Sequence, residues 1–419
     1  MKGKVLVKGG TVLSSDRSVG NMVGADVLIE DGLIVEVGAA LRSRGAEIID
    51  ASDTIVMPGF VDAHRHVWQS LTRNLGTTAS PTVGDSYTPD DVYAATFAGL
   101  LGAVAAGITT VVDWCDIPGT AGHLEAAVAG HADSGVRSVL VTTQSDTEPD
   151  ATDRLTVASA SLDVVEANMQ SIVSSWTKIR AAGRRIHARA GTRSASGGEV
   201  AELGRRGALG PDVTLSHCCH LNADDFDAIA ESSTRVALVP SSDMAAGAGS
   251  PPMQQLIDRS IRPGLGIGEE RLAPGDAFAQ MRAAISVQHA VLFESKLAGK
   301  GAVPNLLNTR DVLRYATIDG ALVAGLPTIT GSLTPGKHAD VLVLRADSPN
   351  IAPINDPIGA VVWGMDTSNV DWVLVDGVAV VEHGELTADV QRAMDLATAA
   401  QRRLAAAAGD LAGSGADVS

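Results

Sequence analysis

Residues 54–66, TIVMPGFVDAHRH, carry a continuous apolar stretch into two histidines set one residue apart. A short apolar run punctuated by Pro58 and Gly59 reads as a buried strand. Side chains alternate along a strand, so His64 and His66 point to the same side of its end. Two imidazoles on one side make half of a metal site. The competing reading is a pair of loop histidines without a role; strand context and spacing favour ligands.

Outward from this stretch the chain changes character twice. Upstream, KVLVKGGTVL (4–13) and ADVLIEDGLIVEVG (25–38) are rich in Val, Ile and Leu with GG and DG turns, which predicts antiparallel strands. HADVLVLRAD (338–347), AVVWGMD (360–366) and VDWVLVDGVAVVEHGEL (370–386) share that composition and also predict strands. Between these ends, strands alternate with helices. The helix FAGLLGAVAAG (97–107) precedes the strand ITTVVDW (108–114), and LEAAVAGHADSG (124–135) precedes VRSVLVTT (136–143). RIHARA (185–190), VTLSHC (213–218), the helix NADDFDAIAESS (222–233), RVALVPSS (235–242) and IRPGLGIG (261–268) follow.

Such alternation predicts a parallel sheet. The middle of the chain has room for roughly 250 residues, the size of an eight-stranded α/β barrel. No glycine-rich phosphate fingerprint follows the first strand, which counts against an open doubly wound sheet. The expected fold class is therefore α/β, a (β/α)8 TIM-like barrel over 58–330. The two ends, 1–57 and 331–386, would form a small β-sandwich domain. A last helix would span 387–410, followed by a frayed tail, SGADVS.

Composition narrows the function. The chain has 419 residues, 45% of them hydrophobic and 19% charged, with a net charge of −17. A field of that sign repels phosphate backbones and anionic lipid, so neither nucleic acid nor a membrane is an expected partner. The first residues lack the apolar core of a signal peptide, and no apolar run approaches a membrane span. Cys115, Cys218 and Cys219 cannot build a disulfide framework, which fits a cytoplasmic setting. The expected partners are a small-molecule substrate and further copies of the same chain.

MPGFVDAHRH (57–66) and GSLTPGKHADVLVL (331–344), in this order, resemble the amidohydrolase superfamily, most closely its cytosine deaminase and triazine hydrolase branch. The resemblance runs from Lys4 to about Leu386. It implies a barrel, one divalent metal ion and hydrolysis of a C–N or C–heteroatom bond in a cyclic or amide substrate. Zinc is the expected metal, with iron or manganese as alternatives that imidazoles also serve, and a metal-free site as a further one.

By the same resemblance His64, His66 and His187 are the metal ligands. His217 is the histidine that bonds the attacking water, with His220 beside it as a substrate-binding candidate. Trp68 and Gln69 follow the histidine pair and would line the pocket. Arg189 shares strand parity with His187 and could meet an anionic substrate. The pattern breaks at two places. Gly268 stands where the eighth strand carries an aspartate in the family, and Ala190 where many deaminases of this branch carry a glutamate. Glu269 is the expected replacement for the missing proton acceptor, with a solvated Glu269–Glu270 loop as the bland reading.

Asp113, Asp116 and Asp243 lie near strand ends, where a lone aspartate is more often structural. Cys218 and Cys219 read as small buried residues rather than ligands. Loss of the aspartate leaves two rivals open. One is a lyase, isomerase or cyclase on the same scaffold with weak or no metal; the other is a non-catalytic ligand-binding barrel.

Overall fold

A computed structural model describes residues 3–74, 86–117, 120–142, 154–160, 169–192, 197–300 and 304–414. Five strands come first: β1 Lys4–Leu13, β2 Asn21–Glu30, β3 Leu33–Gly38, β4 Glu47–Asp50 and β5 Thr54–Pro58. Eight follow in the middle: β6 Phe60–Arg65, β7 Ile108–Cys115, β8 Arg137–Thr142, β9 Leu155–Ala160, β10 Ile186–Ala190, β11 Val213–His217, β12 Arg235–Leu238 and β13 Gly264–Leu265. Four close the chain: β14 Val341–Arg345, β15 Val370–Val375, β16 Val378–Glu382 and β17 Glu385–Leu386.

The middle strands form one parallel sheet in simple sequence order from β6 to β13. Beyond β13 the chain returns to β6. Arg65 and Gly268 form a parallel bridge, with Gly268 N–H donating to His64 O (2.8 Å) and His66 N–H donating to Gly268 O (3.0 Å). Helices cover the sheet, as parallel strands buried on both faces require. The first runs from Pro89 to Ala105 behind a capping box at Thr88 and Asp91, and Gly107 in the left-handed region ends it.

The strands from the two ends share one nine-stranded sheet, joined where β5 pairs antiparallel with β14, Met57 against Leu342. This sheet is continuous in hydrogen bonding from β17 to β3. A register break at Gly10 lets β1 pair with β4 along Val5–Lys8 and with β5 at Thr11–Val12. The sheet covers a core of its own, including Val7, Val27, Ile29, Val56 and Val341.

One expected strand is helical. Residues 357–364 of the segment around AVVWGMD coil into helical turns. Asp356 caps their start, accepting from Ile358 N–H and Gly359 N–H, and Pro357 opens the first turn. Arg282 satisfies the carbonyls of Val362 and Met365 at the other end. A short apolar run cannot be told from a strand by its pattern alone, and here the cap decides. The last helix runs from Val390 to Ser414, starting three residues later and ending four residues later than expected; the tail beyond it lies outside the described residues.

Candidate metal and catalytic centre

The C-terminal ends of β6 and β11 bring His64, His66 and His217 near one another, and His187 lies on β10. His64 and His66 are both buried, and their Nε2 atoms stand 3.2 Å apart. Two nitrogens bound at zinc distances to one tetrahedral ion would stand about 3.4 Å apart, so the pair has the spacing of adjacent ligands. His187 is fully buried, and neither of its ring nitrogens has a hydrogen-bond partner among the described residues. Burial, and to a lesser degree Arg185, pushes its pKa down to about 3. Burial and then the neighbouring His66, His217, Arg189 and His187 hold His64 well below its ordinary value. Both imidazoles are therefore neutral, the form that binds metal.

Asp116, in the turn after β7, organises this cluster. Its Oδ1 accepts from His66 Nδ1 (3.0 Å) and Trp68 Nε1 (2.9 Å), and Arg189 reaches its Oδ2 at 3.4 Å. Burial opposes charge on both partners. The carboxylate nevertheless raises the His66 pKa, and His66, Trp68 and Arg189 hold Asp116 down at about 2. A carboxylate on the far nitrogen of a ligating histidine fixes its tautomer and orientation. Trp114 supplies a wall: its ring lies 4.7 Å from the His64 ring, with the Arg189 guanidinium 5.8 Å above it.

His217 ends β11 with φ near +70°, and Cys218 follows at +63°. Two successive non-glycine residues in the left-handed region are costly, and such strain collects at functional sites. The turn directs His217 towards His64, ring centroids 5.1 Å apart, and its Nδ1 bonds Asp243 Oδ1 at 2.7 Å. Cys218 is buried in the core, as strand parity predicts.

The remaining candidates divide. Gln69 donates its backbone N–H to His66 O, and its buried side-chain oxygen has no hydrogen-bond partner among the described residues. His220 sits in the loop after β11, its N–H on Gly191 O, and no contact joins it to the histidine cluster among the described residues. Ala190 is fully buried in the core, so this position presents no group to a substrate. Glu269 turns its carboxylate to Arg271 (2.6 Å) while remaining within electrostatic reach of His66. Glu270 is no solvated loop residue: it is buried against Arg65 and Arg73. A cavity of about 420 Å³ lined by Ser15, Arg17, Asn308 and Arg314 shares no residue with the histidine cluster.

The donor set fits a divalent ion: two converging imidazoles, a third that is buried, neutral and unpartnered, and a carboxylate orienting one of them. Among the described residues no three His, Cys, Asp or Glu side chains converge on a single point.

A profile of the Amidohydrolase family matches residues 55–184 and 162–380. The chain belongs to the amidohydrolase family. A 5-methylthioadenosine/S-adenosylhomocysteine deaminase of Acetivibrio thermocellus is 24% identical, the alignment covering 91% of this chain and 95% of that protein. An adenosine deaminase from Xanthomonas campestris with bound zinc shares the fold at a TM-score of 0.82 and 18% identity, over 96% and 99% of the two chains. An atrazine chlorohydrolase from Arthrobacter aurescens complexed with zinc does so at 0.80 and 20%, over 95% and 100%.

Asp116, Asp243 and Trp114 were not singled out as site residues by sequence. Their only signal is position at a strand's C-terminal end, where this architecture gathers its chemistry.

Proposed function

We propose that this amidohydrolase is a metal-dependent hydrolase that cleaves a C–N bond of a small nitrogen-containing cyclic substrate, with deamination as the reaction class. The observation that carries the reading is the paired Nε2 atoms of His64 and His66 beside a neutral, unpartnered His187. In this reading the eight parallel strands are a closed barrel and the terminal strands a separate small domain. His64, His66 and His187 would hold one divalent ion, zinc by the analogy of the neighbours. Such an ion supplies a nucleophilic water at neutral pH.

The chain's own residues do the rest. Asp116 keeps the His66 Nδ1 proton in place and so turns Nε2 inward. Trp114 and Trp68 exclude bulk water from one side, and Arg189 presents positive charge to the substrate. His217 aligns the attacking water.

Gly268 gives one specific observation to a rival, a lyase, isomerase or cyclase reaction needing no strand-eight carboxylate. An ammonia-release assay with adenosine-type nucleosides, aminopyrimidines and aminotriazines separates the two. Release that disappears in His64→Ala supports hydrolysis. Zinc-loaded protein that releases ammonia from none of them contradicts deamination and favours the rival.

A further inference from the structure

Gly268 does more than lack a side chain. It has φ near +72°, and a Cβ there would lie 2.8 Å from Ser242 Cβ and 2.9 Å from Ser242 Oγ. The space a strand-eight side chain would enter is thus filled by the turn that opens the helix Pro240–Ala246. Glu269 N–H donates to Ser242 Oγ at 3.3 Å and holds the two segments together. The next residue in this turn is Asp243, 2% exposed, with Oδ1 on His217 Nδ1 and Oδ2 accepting from Cys219 Sγ.

We infer that Asp243 is the positioning residue that makes His217 the proton acceptor, in place of the carboxylate that Gly268 cannot supply. The inference rests on the hydrolytic reading. A carboxylate only accepts hydrogen bonds, so the His217–Asp243 contact requires the proton on Nδ1. His217 Nε2 then carries the free lone pair, and no described residue occupies it. Glu269 is less suited, because Arg271 already engages its carboxylate.

The step balances. As the water oxygen bonds to the substrate carbon, its proton passes to His217 Nε2, and Asp243 stabilises the imidazolium. When the C–N bond breaks, the leaving nitrogen takes that proton from Nε2 with the bonding electron pair, and His217 returns to its starting tautomer.

The test is the imidazole 15N spectrum of the full chain labelled at histidine, with His217 assigned by loss of its signals in His217→Asn. The expected state is Nδ1–H with Nε2 unprotonated, changing to Nε2–H in Asp243→Asn. For the amine that the wild type turns over, Asp243→Asn should lower kcat by about 10²–10⁴ with little change in KM, the range for acid–base groups and for a wrong tautomer. Asp243→Glu should recover part of it, and His217→Asn combined with Asp243→Asn should be no worse than His217→Asn alone. Metal content should stay unchanged in each.

An Nε2–H tautomer in the wild type overturns the inference without any variant having to fold. So does Asp243→Asn with wild-type kcat. Wild-type protein with the expected tautomer but no turnover overturns the hydrolytic reading while the pairing itself stands.

Discussion

Arg65, between the two histidines, faces away from them and is 1% exposed. Its Nε and one terminal nitrogen bond Glu270 Oε1 at 2.8 and 2.5 Å, and the other reaches Asp62 at 3.1 Å. Arg73 takes the second oxygen of Glu270. Burial alone would raise the Glu270 pKa, but the two guanidinium groups outweigh it and hold the carboxyl below its usual range. Removing one partner of a buried pair leaves the other charge uncompensated, so Glu270→Gln should cost about 3–5 kcal/mol of stability. Urea unfolding read by circular dichroism checks this; a loss under about 0.5 kcal/mol, the size of a surface substitution, would contradict it. Parity along the sequence could not separate Glu269 from Glu270, because their directions depend on where β13 stops. His64, His66 and His217 stood out in the sequence because they lie at the ends of predicted strands, and His187 because it interrupts an apolar one. Asp116 and Asp243 were not, since their partners lie 50 and 26 residues away and a lone aspartate in a turn has no signature.

The element that shapes the site most is one of the two shortest strands, β13, followed by Gly266 and Gly268. A Cβ on Gly266 would fall 2.6 Å from His64 O and 2.7 Å from His64 N. Only a bare backbone can approach β6 closely enough to make the hydrogen bonds that hold its histidine end. Gly266→Ala should therefore push β6 and β13 apart, destabilising the chain by about 1–3 kcal/mol as overpacking does. It should also lower zinc occupancy, although residue 266 contributes no ligand. Thermal unfolding together with metal analysis tests this, and wild-type values for both would refute it. The glycine pattern was visible in IRPGLGIG, but what the glycines approach was not, because β6 is 200 residues earlier in the chain. The segment AVVWGMD failed for a different reason: Val-rich composition favours a strand, and a cap with a distant arginine overrode it.

At the scale of the whole molecule, alternation of strand and helix carried the parallel sheet, and matching composition of the two ends carried their union. Their attachment to the middle sheet was not legible. It runs through Arg137 on β8, which grips Asp340 at 2.8 and 3.1 Å, and Asp340 in turn receives Asp376 N–H. No described helix is long and apolar enough to cross a membrane. We propose that this architecture lets His64, His66 and His187 hold one divalent ion despite the missing strand-eight carboxylate. Elemental analysis of the wild type and of His64→Ala and His66→Ala, purified without chelator, tests it most directly. About one zinc ion per chain is expected in the wild type, lost from both variants while their circular dichroism stays native. Wild-type protein that takes up no divalent ion even after incubation with zinc, or variants that keep full occupancy, would contradict it.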